Sequence, residues 1–305
     1  MPSAPSLGRE RQPIISDPAA IVGSAATLLS GFGRTSAAVV RDGIDAMAAA
    51  GFAGMSIWTS QHDWAVADGM TSAEFVGYHN SRGLGIPTAE VLILDWATTG
   101  LAEIERAHGC VLDVCQRVGS RYVIAVVLDP SPPPRVDSDA GLGHICDMAA
   151  ARGLAVSFEF LPWSGVANIG SALQLLETVD RENLGIVLDT WHWFRQPGGP
   201  AVSALRSLPA DRIHILQMSD APAVPSGELA VETHHRLLPG EGAIDILGLL
   251  DVLADMEARP VVVSEVFSKR LTDLGARENA RLQFEATKRI MEQHTTRATT
   301  APGAT

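Results

Sequence analysis

Acidic side chains interrupt apolar runs at three places in the second half of the sequence. Asp189 ends the run in GIVLDTWHW, and His192 follows three residues later between two tryptophans. Glu159 and Glu265 lie inside the apolar stretches LAVSFEF and PVVVSEV. A buried carboxylate without a partner is costly, so these positions predict a metal site or groups that transfer protons.

The same residues favour a divalent metal ion. If Asp189, Glu159 and Glu265 converge on one point, their negative charges repel one another, and a divalent cation between them removes that repulsion. Gln217, in IHILQMS, would add another oxygen at the end of a neighbouring strand. An all-oxygen set suits Mg²⁺ or Mn²⁺ better than Zn²⁺.

Several of these positions also have a purely structural explanation. Asp189 and Asp220 could cap the turns that follow them, and Gln217 could form a hydrogen bond inside the core. The two glutamates are harder to explain in this way, because each sits within an apolar strand.

The elements that would position these residues alternate between strand and helix. Eight apolar runs recur mostly at a spacing of about 30 residues, the length of one βα unit. The runs are continuous, as expected for parallel strands covered on both faces. We predict strands in ATLLSGF, GMSIWTS, AEVLILD, YVIAVVLD, LAVSFEF, GIVLD, IHILQMS and PVVVSEV. Helices are predicted over 37–50, 71–82, 101–118, 141–152, 169–179, 202–208, 244–256 and 276–292.

Eight such units predict one α/β domain, a single (β/α)8 TIM barrel with its active site at the carboxyl ends of the strands. We assign residues 1–22 to an N-terminal extension, 23–292 to the barrel and 293–305 to a disordered tail. A doubly wound open sheet is the alternative, but no GxGxxG or GxxxxGK[ST] motif follows the first strand.

Composition narrows the classes of partner. The 305 residues carry a net charge of −12, which argues against a nucleic-acid-binding surface. No apolar run reaches the roughly 18 residues of a membrane span, and no signal peptide is expected in residues 1–22. Three cysteines without a CxxC spacing indicate reduced thiols and a cytoplasmic protein. We expect a small-molecule substrate and leave a homo-oligomer open.

The second half of the chain resembles a known family of barrels. The order of a strand-five Glu, a strand-six Asp-x-x-His, a strand-seven ligand and a strand-eight Glu resembles the xylose isomerase-like TIM barrel superfamily. The stretches RLLPGEGAIDILGLLDVL and PVVVSEVF are similar to its isomerase and epimerase branch. The superfamily also contains inosose and 3-dehydroshikimate dehydratases and endonuclease IV-like enzymes.

The resemblance implies roles for individual residues. The metal ligands would be Glu159, Asp189, Gln217 and Glu265. His192 and Arg236 would contact the substrate. The implied cofactor is one divalent ion, Mn²⁺ or Mg²⁺, with Co²⁺ and Zn²⁺ as alternatives.

One ligand position departs from the commonest family pattern. The strand-seven ligand is more often His, whereas Gln217 stands there in this chain. Strand alternation would put the nearby His214 on the other face from Gln217. Glutamine occurs at this position in part of the family, including some 3-dehydroshikimate dehydratases, so the substitution keeps a dehydratase in consideration.

Aromatic rings accompany the predicted site. All six tryptophans fall near predicted strand ends or in the loops after them: Trp58, Trp64, Trp96, Trp163, Trp191 and Trp193. Some could instead cover the core or a subunit interface. We predict that Trp58, Trp163 and Trp193 contact a substrate with an apolar or stacking face, together with His62 and His235.

These residues predict metal-assisted proton transfer next to a carbonyl, through an enediolate, with Glu159 and Glu265 as base and acid. Returning the proton elsewhere gives an isomerase or epimerase of a sugar-like or cyclic polyhydroxy ketone. Loss of a β-hydroxyl from the same intermediate gives a dehydratase. A non-catalytic binding barrel and a DNA-repair endonuclease are the remaining alternatives, and the net charge argues against the latter.

Overall fold

The computed structural model describes residues 12, 14–15, 17–28, 34–95, 100–131 and 137–300. Eight parallel strands close into a barrel in chain order, with β1 hydrogen-bonded to both β2 and β8. The strands are β1 Val22–Ser24, β2 Gly54–Trp58, β3 Gly85–Leu94, β4 Tyr122–Val127, β5 Ala155–Glu159, β6 Leu184–Asp189, β7 Ile213–Met218 and β8 Val261–Ser264. The predicted (β/α)8 barrel is therefore confirmed.

Helices surround the barrel on its outside. In chain order they are α1 Ala37–Ala50, α2 Thr59–Ala67, α3 Ser72–Ser81, α4 Leu101–Val118, α5 Asp137–Ala150, α6 Ile169–Val179, α7 Thr190–Arg195, α8 Val202–Ser207, α9 Leu229–Glu232, α10 Ile246–Asp255, α11 Lys269–Thr272 and α12 Ala276–Thr300. Two 3-10 helices cover Ala25–Leu28 and Ala210–Arg212. The predicted bounds of α1, α4 and α6 agree with the structure.

Two apolar cores follow from strand alternation. Side chains such as Ile124, Val187 and Val263 fill the interior of the barrel. The alternate residues, such as Val123 and Ile186, pack outward against the helices. Strands covered on both faces need apolar residues at every position, which explains the continuous apolar runs.

Two register shifts turn extra side chains into the barrel. Along β3 the pairing with β4 passes from Ala89 to Leu92, and Glu90 and Val91 between them both face inward. Along β7 the pairing with β6 shifts between Ile186 and Val187, which turns His214 inward, toward Ser157. Such irregularities re-aim side chains. The prediction that His214 and Gln217 lie on opposite faces is therefore wrong, although they lie at opposite ends of β7.

Two predicted boundaries are corrected. The first strand was predicted over 26–32, but β1 is Val22–Ser24, and Ala25–Leu28 forms a 3-10 helix; residues 29–33 lie outside the described chain. The short β1 escapes prediction because Gly23 and Ser24 do not form an apolar run. It also moves the start of the barrel from 23 to 22.

At the other end, α12 continues to Thr300, so residues 293–300, predicted as a disordered tail, are helical. The hydroxyls of Thr295 and Thr296 donate to carbonyls one turn earlier, and His294 is buried. The polar, threonine-rich segment therefore continues the helix, with both hydroxyls bonded inside it. Residues 301–305 are not described.

No helix in the described ranges has both the length and the apolar character that a membrane span requires. All three cysteines are free thiols; Cys110 is exposed, and Cys115 and Cys146 are buried.

Candidate metal and active site

Three potential metal ligands meet at the carboxyl ends of β5 and β6. Glu159 ends β5, Asp189 ends β6, and His192 lies in α7 immediately after it. One ligand atom from each lies within 4.8 Å of the other two, and all three residues are buried. Neighbouring parallel strands bring their carboxyl ends to one rim, which is why residues distant in sequence converge here.

Asp189 has the capping role considered from sequence and also pairs with an arginine. Its Oδ1 accepts hydrogen bonds from the backbone N–H groups of Trp191 and His192, at 2.7 and 2.9 Å, and so caps α7. Its Oδ2 accepts a hydrogen bond from Arg236 Nη1 at 2.7 Å. Burial acts to raise the pKa of Asp189, but the charges of Arg236 and His192 outweigh it and hold the pKa below its usual value. Asp189 is thus a carboxylate.

Gln217 and Glu265 form the neighbouring part of the site. Gln217 Nε2 donates to Glu265 Oε1 at 2.9 Å. Gln217 Oε1 is buried and has no hydrogen-bond partner within the described chain. Burial raises the pKa of Glu265 well above its usual value, the charge of Glu90 adds to this, and Arg236 opposes it. These conditions favour a protonated Glu265.

Arg236 is the cation among these acids. It comes from the loop between β7 and β8, and its Nη1 lies 3.5 Å from Glu265 Oε2 in addition to its bond to Asp189. Its Nη2 donates to Thr233 Oγ1 at 3.0 Å and lies 3.3 Å from His192 Nε2. Burial acts to lower the pKa of Arg236, but the surrounding carboxylates raise it, so the guanidinium stays charged.

His192 lies between a carboxylate and a guanidinium. Its Nε2 lies 3.3 Å from Glu159 Oε1 and the same distance from Arg236 Nη2. Because a guanidinium only donates, Nε2 can accept from Arg236 or donate to Glu159, but one protonation state cannot do both.

A cavity of about 640 Å³ opens above these residues. Glu159, Glu265, His192 and Arg236 line one part of it. The remaining lining is largely apolar and includes Trp58, Val91, Ile93, Ile124, Val126, Leu128, Leu161, Trp163 and Phe267. The cavity therefore combines a charged floor with an apolar wall.

A third acid that lines the cavity was missed by the sequence analysis. Glu90 is 7% exposed and lines the cavity from β3. Ser56 Oγ donates to its Oε1 at 2.6 Å, and Trp58 Nε1 donates to its Oε2 at 3.0 Å. Burial, together with the charge of Glu159, raises the pKa of Glu90 to about 7. The signal was present, because Glu90 interrupts AEVLILD as Glu159 interrupts LAVSFEF.

Comparison with known proteins agrees with this geometry. Residues 44–290 match the family model described as xylose isomerase-like TIM barrel. The chain belongs to the xylose isomerase-like TIM barrel family. It is 28% identical over 202 residues to an inosose isomerase of Bacillus licheniformis, covering 64% of this chain and 71% of that protein.

Two further relatives of this barrel family are informative. A segment of 172 residues, 55% of this chain, is 31% identical to a 3-dehydroshikimate dehydratase of Pseudomonas aeruginosa. The matched segment spans only 27% of that larger protein. Among solved structures, the IolI protein with a bound zinc atom superposes with a TM-score of 0.79 at 22% identity, covering 90% of this chain and 98% of that one.

The donor set fits the divalent ion that resemblance to this family implies. Glu159, Asp189 and His192 already lie within reach of one another, and Gln217 presents a buried oxygen that has no partner among the described residues. Glu265 is hydrogen-bonded to that same glutamine. Unsatisfied buried oxygens beside clustered carboxylates are the conditions under which a cation binds.

Several other predicted site residues lie elsewhere. Trp58 and Trp163 do line the cavity, whereas Trp193 packs in the core outside the barrel. His62 contacts Ser72 and Asp63 between α2 and α3. His235 is exposed, and its backbone forms an isolated β-bridge with Ser268. The neighbouring His234 lines the cavity. Trp96 lies outside the described residues.

Asp220 has a structural role, but it differs from the turn cap considered for it. Its carboxylate accepts hydrogen bonds from the backbone N–H groups of Ala221, Gly240, Gly242 and Ile244. It therefore holds the two ends of the loop that carries Arg236.

Proposed function

We propose that this chain is a divalent-metal-dependent isomerase or epimerase. It would transfer a proton next to the carbonyl of a sugar-like or cyclic polyhydroxy keto substrate. The observation that carries the proposal is the convergence of Glu159, Asp189 and His192 beside Gln217 and Glu265, at the floor of a cavity. Similarity to the inosose isomerase supports the substrate class.

The residues that would hold the metal are Glu159, Asp189, Gln217 and Glu265, and His192 is close enough to be an alternative ligand. Mn²⁺ or Mg²⁺ suits the oxygen donors, while an imidazole ligand would also suit zinc. When bound, the ion would supply positive charge to the substrate oxygens that become negative during proton removal.

The chain's own side chains would move the proton. Glu159 would take it from the carbon next to the carbonyl, and Glu265 would return a proton from its carboxyl oxygen. Arg236 would keep Asp189 ionised and fix the position of its carboxylate through their hydrogen bond. His192, which lines the cavity, would form a hydrogen bond with a substrate oxygen.

A dehydratase is the second candidate. It is favoured by the 31% identity to the 3-dehydroshikimate dehydratase segment. The first step would be the same, but a β-hydroxyl would then leave with a proton as water instead of the proton returning to carbon.

The test is solvent deuterium incorporation by the purified protein supplied with Mn²⁺, using inososes, keto-sugars and 3-dehydroshikimate in D₂O. We expect deuterium at the carbon next to the carbonyl, and its loss on addition of a chelator. Release of water from the substrate would select the dehydratase, and no exchange with any of these compounds would contradict both candidates.

A further inference from the structure

The side of the cavity formed by β3 and β4 holds one charged residue among apolar ones. Ile124 and Val126 line the cavity from β4, and Val91 and Ile93 line it from β3. Glu90 faces the cavity in the regular alternation of β3, where it pairs with Trp58 of β2, and the register shift that follows turns Val91 to the same side. A buried charge in such surroundings costs stability, so its retention calls for an explanation in terms of binding.

The partners of Glu90 leave part of its acceptor capacity open to the cavity. Ser56 donates to one carboxylate oxygen and Trp58 to the other, and both donors are neutral groups on β2. A carboxylate offers about four acceptor positions. The remaining positions can be filled by a hydroxyl group that enters the cavity.

Glu90 also stands apart from the proposed metal ligands. Those residues lie on β5 to β8, whereas Glu90 is on β3 and is hydrogen-bonded to β2. Among the described residues that line the cavity, the only Lys or Arg is Arg236, which is already paired with Asp189. An anionic group placed on the β3 side would lose its water and face a carboxylate.

We propose that Glu90 selects the substrate class, by accepting a hydrogen bond from a substrate hydroxyl and rejecting carboxylate or phosphate groups on the β3 side of the cavity. This inference rests on the proposed function, because it concerns the substrate of the same site. It separates the two candidate reactions, since a polyhydroxy ketone such as an inosose is neutral and 3-dehydroshikimate carries a carboxylate.

Binding of two non-reacting ring polyols tests this selection. myo-Inositol is neutral and shikimate is an anion, and neither has the ketone at which exchange would occur. Binding is measured by calorimetry with Mn²⁺ at pH 8, where Glu90 carries its charge. We expect the wild-type protein to bind myo-inositol at least about tenfold more tightly than shikimate, the effect of one charged hydrogen bond.

Three variants assign the preference to Glu90. Glu90→Gln removes the charge at nearly constant shape and is expected to reduce the preference about tenfold or more. Glu90→Asp keeps the charge, but its shorter side chain moves the carboxylate oxygens away from the cavity. It should therefore weaken myo-inositol binding while still excluding shikimate. Glu103→Gln removes the same charge from the exposed surface of α4 and should leave the preference unchanged.

The inference is overturned if the wild-type protein binds shikimate as tightly as myo-inositol, or if it binds neither. An unchanged preference in Glu90→Gln overturns it as well. Deuterium exchange into keto substrates is scored separately. If the wild type catalyses exchange but Glu90→Gln keeps the binding preference, only the role of Glu90 is contradicted. If the wild type shows the preference but catalyses no exchange, only the proposed reaction is contradicted.

Discussion

The two ends of the barrel bury titratable side chains in opposite ways. At the amino end, His214 stacks on Tyr122 with ring centroids 4.7 Å apart, and its Nδ1 lies 3.0 Å from Ser157 Oγ. Its ring lies over Gly185, where any Cβ would collide with the imidazole. Burial and then the charges of Arg212 and Arg121 lower the pKa of His214 to about 4. At the amino end the buried side chains are thus neutral and pack against one another, while the two arginines lie toward the surface.

The carboxyl end retains charges instead. Glu90, Glu159, Asp189 and Glu265 surround one guanidinium, and the pKa values of Glu90 and Glu265 are raised by burial. Such a set costs stability unless a cation or a ligand completes it. The difference fits an amino end that stabilises the barrel and a carboxyl end that holds the proposed binding and active site.

The largest expected effect compares two residues of one strand. Glu159→Gln, at the carboxyl end of β5, should reduce the rate of deuterium exchange about 10²- to 10⁴-fold, because an amide cannot take up the proton. Ser157→Ala, two residues earlier at the amino end, should leave the rate unchanged and cost about 1 kcal/mol of stability through the lost hydrogen bond. Equal rates for the two variants would remove Glu159 from the mechanism. Circular dichroism checks that both are folded.

Arg236→Met should strongly destabilise the metal-free protein. Asp189 would be left buried without its cation, and removing one partner of a buried ion pair costs about 3–5 kcal/mol. Arg270→Met is the matched control, because Arg270 pairs with Glu241 on the surface, where an ion pair contributes about 0–1 kcal/mol. The free energy of unfolding in urea measures both. Similar losses in the two variants would show that the charges at the carboxyl end are screened.

Glu90→Gln should change how stability depends on pH. The pKa of Glu90 is about 7 in the folded protein, against about 4.3 in an unfolded chain. As pH rises through this interval the unfolded chain loses the proton first, so wild-type stability falls, by roughly 3–4 kcal/mol at most. The variant lacks this loss. The melting temperature of the variant minus that of the wild type should therefore increase as pH rises from 4.5 to 8. Parallel melting profiles would contradict the buried charge.

His214→Gln should change the pH dependence in the opposite direction. The pKa of His214 is about 4 when folded, against about 6.5 when unfolded. Stability is fully present above pH 6.5 and falls, by up to roughly 3 kcal/mol, as the unfolded chain takes up a proton toward pH 4. The variant should lose less stability than the wild type over this interval. In the wild type the effects of His214 and Glu90 on the pH dependence of stability have opposite signs and partly cancel. The two variants therefore separate the contributions of the two groups.

Local patterns in the sequence were enough to predict the barrel and to identify most of the acids of the candidate site. Eight apolar runs at βα spacing require parallel strands, and closing them into a ring brings the carboxyl ends of β5 to β8 together. Glu159, Asp189 and Glu265 were identified because an acid inside an apolar run has few structural explanations. The same rule would have identified Glu90 if it had been applied to the third strand.

Other features were decided only by the tertiary structure. Arg236 reaches Asp189 across 47 residues of chain, from a loop whose path is set by Asp220. Val91 joins Glu90 inside the barrel, and His214 joins Ile215, because of register shifts, and a register depends on how a strand pairs with its neighbours. A single strand specifies a period of two along its own length, but the residue at which that period is interrupted is decided by contacts with another part of the chain.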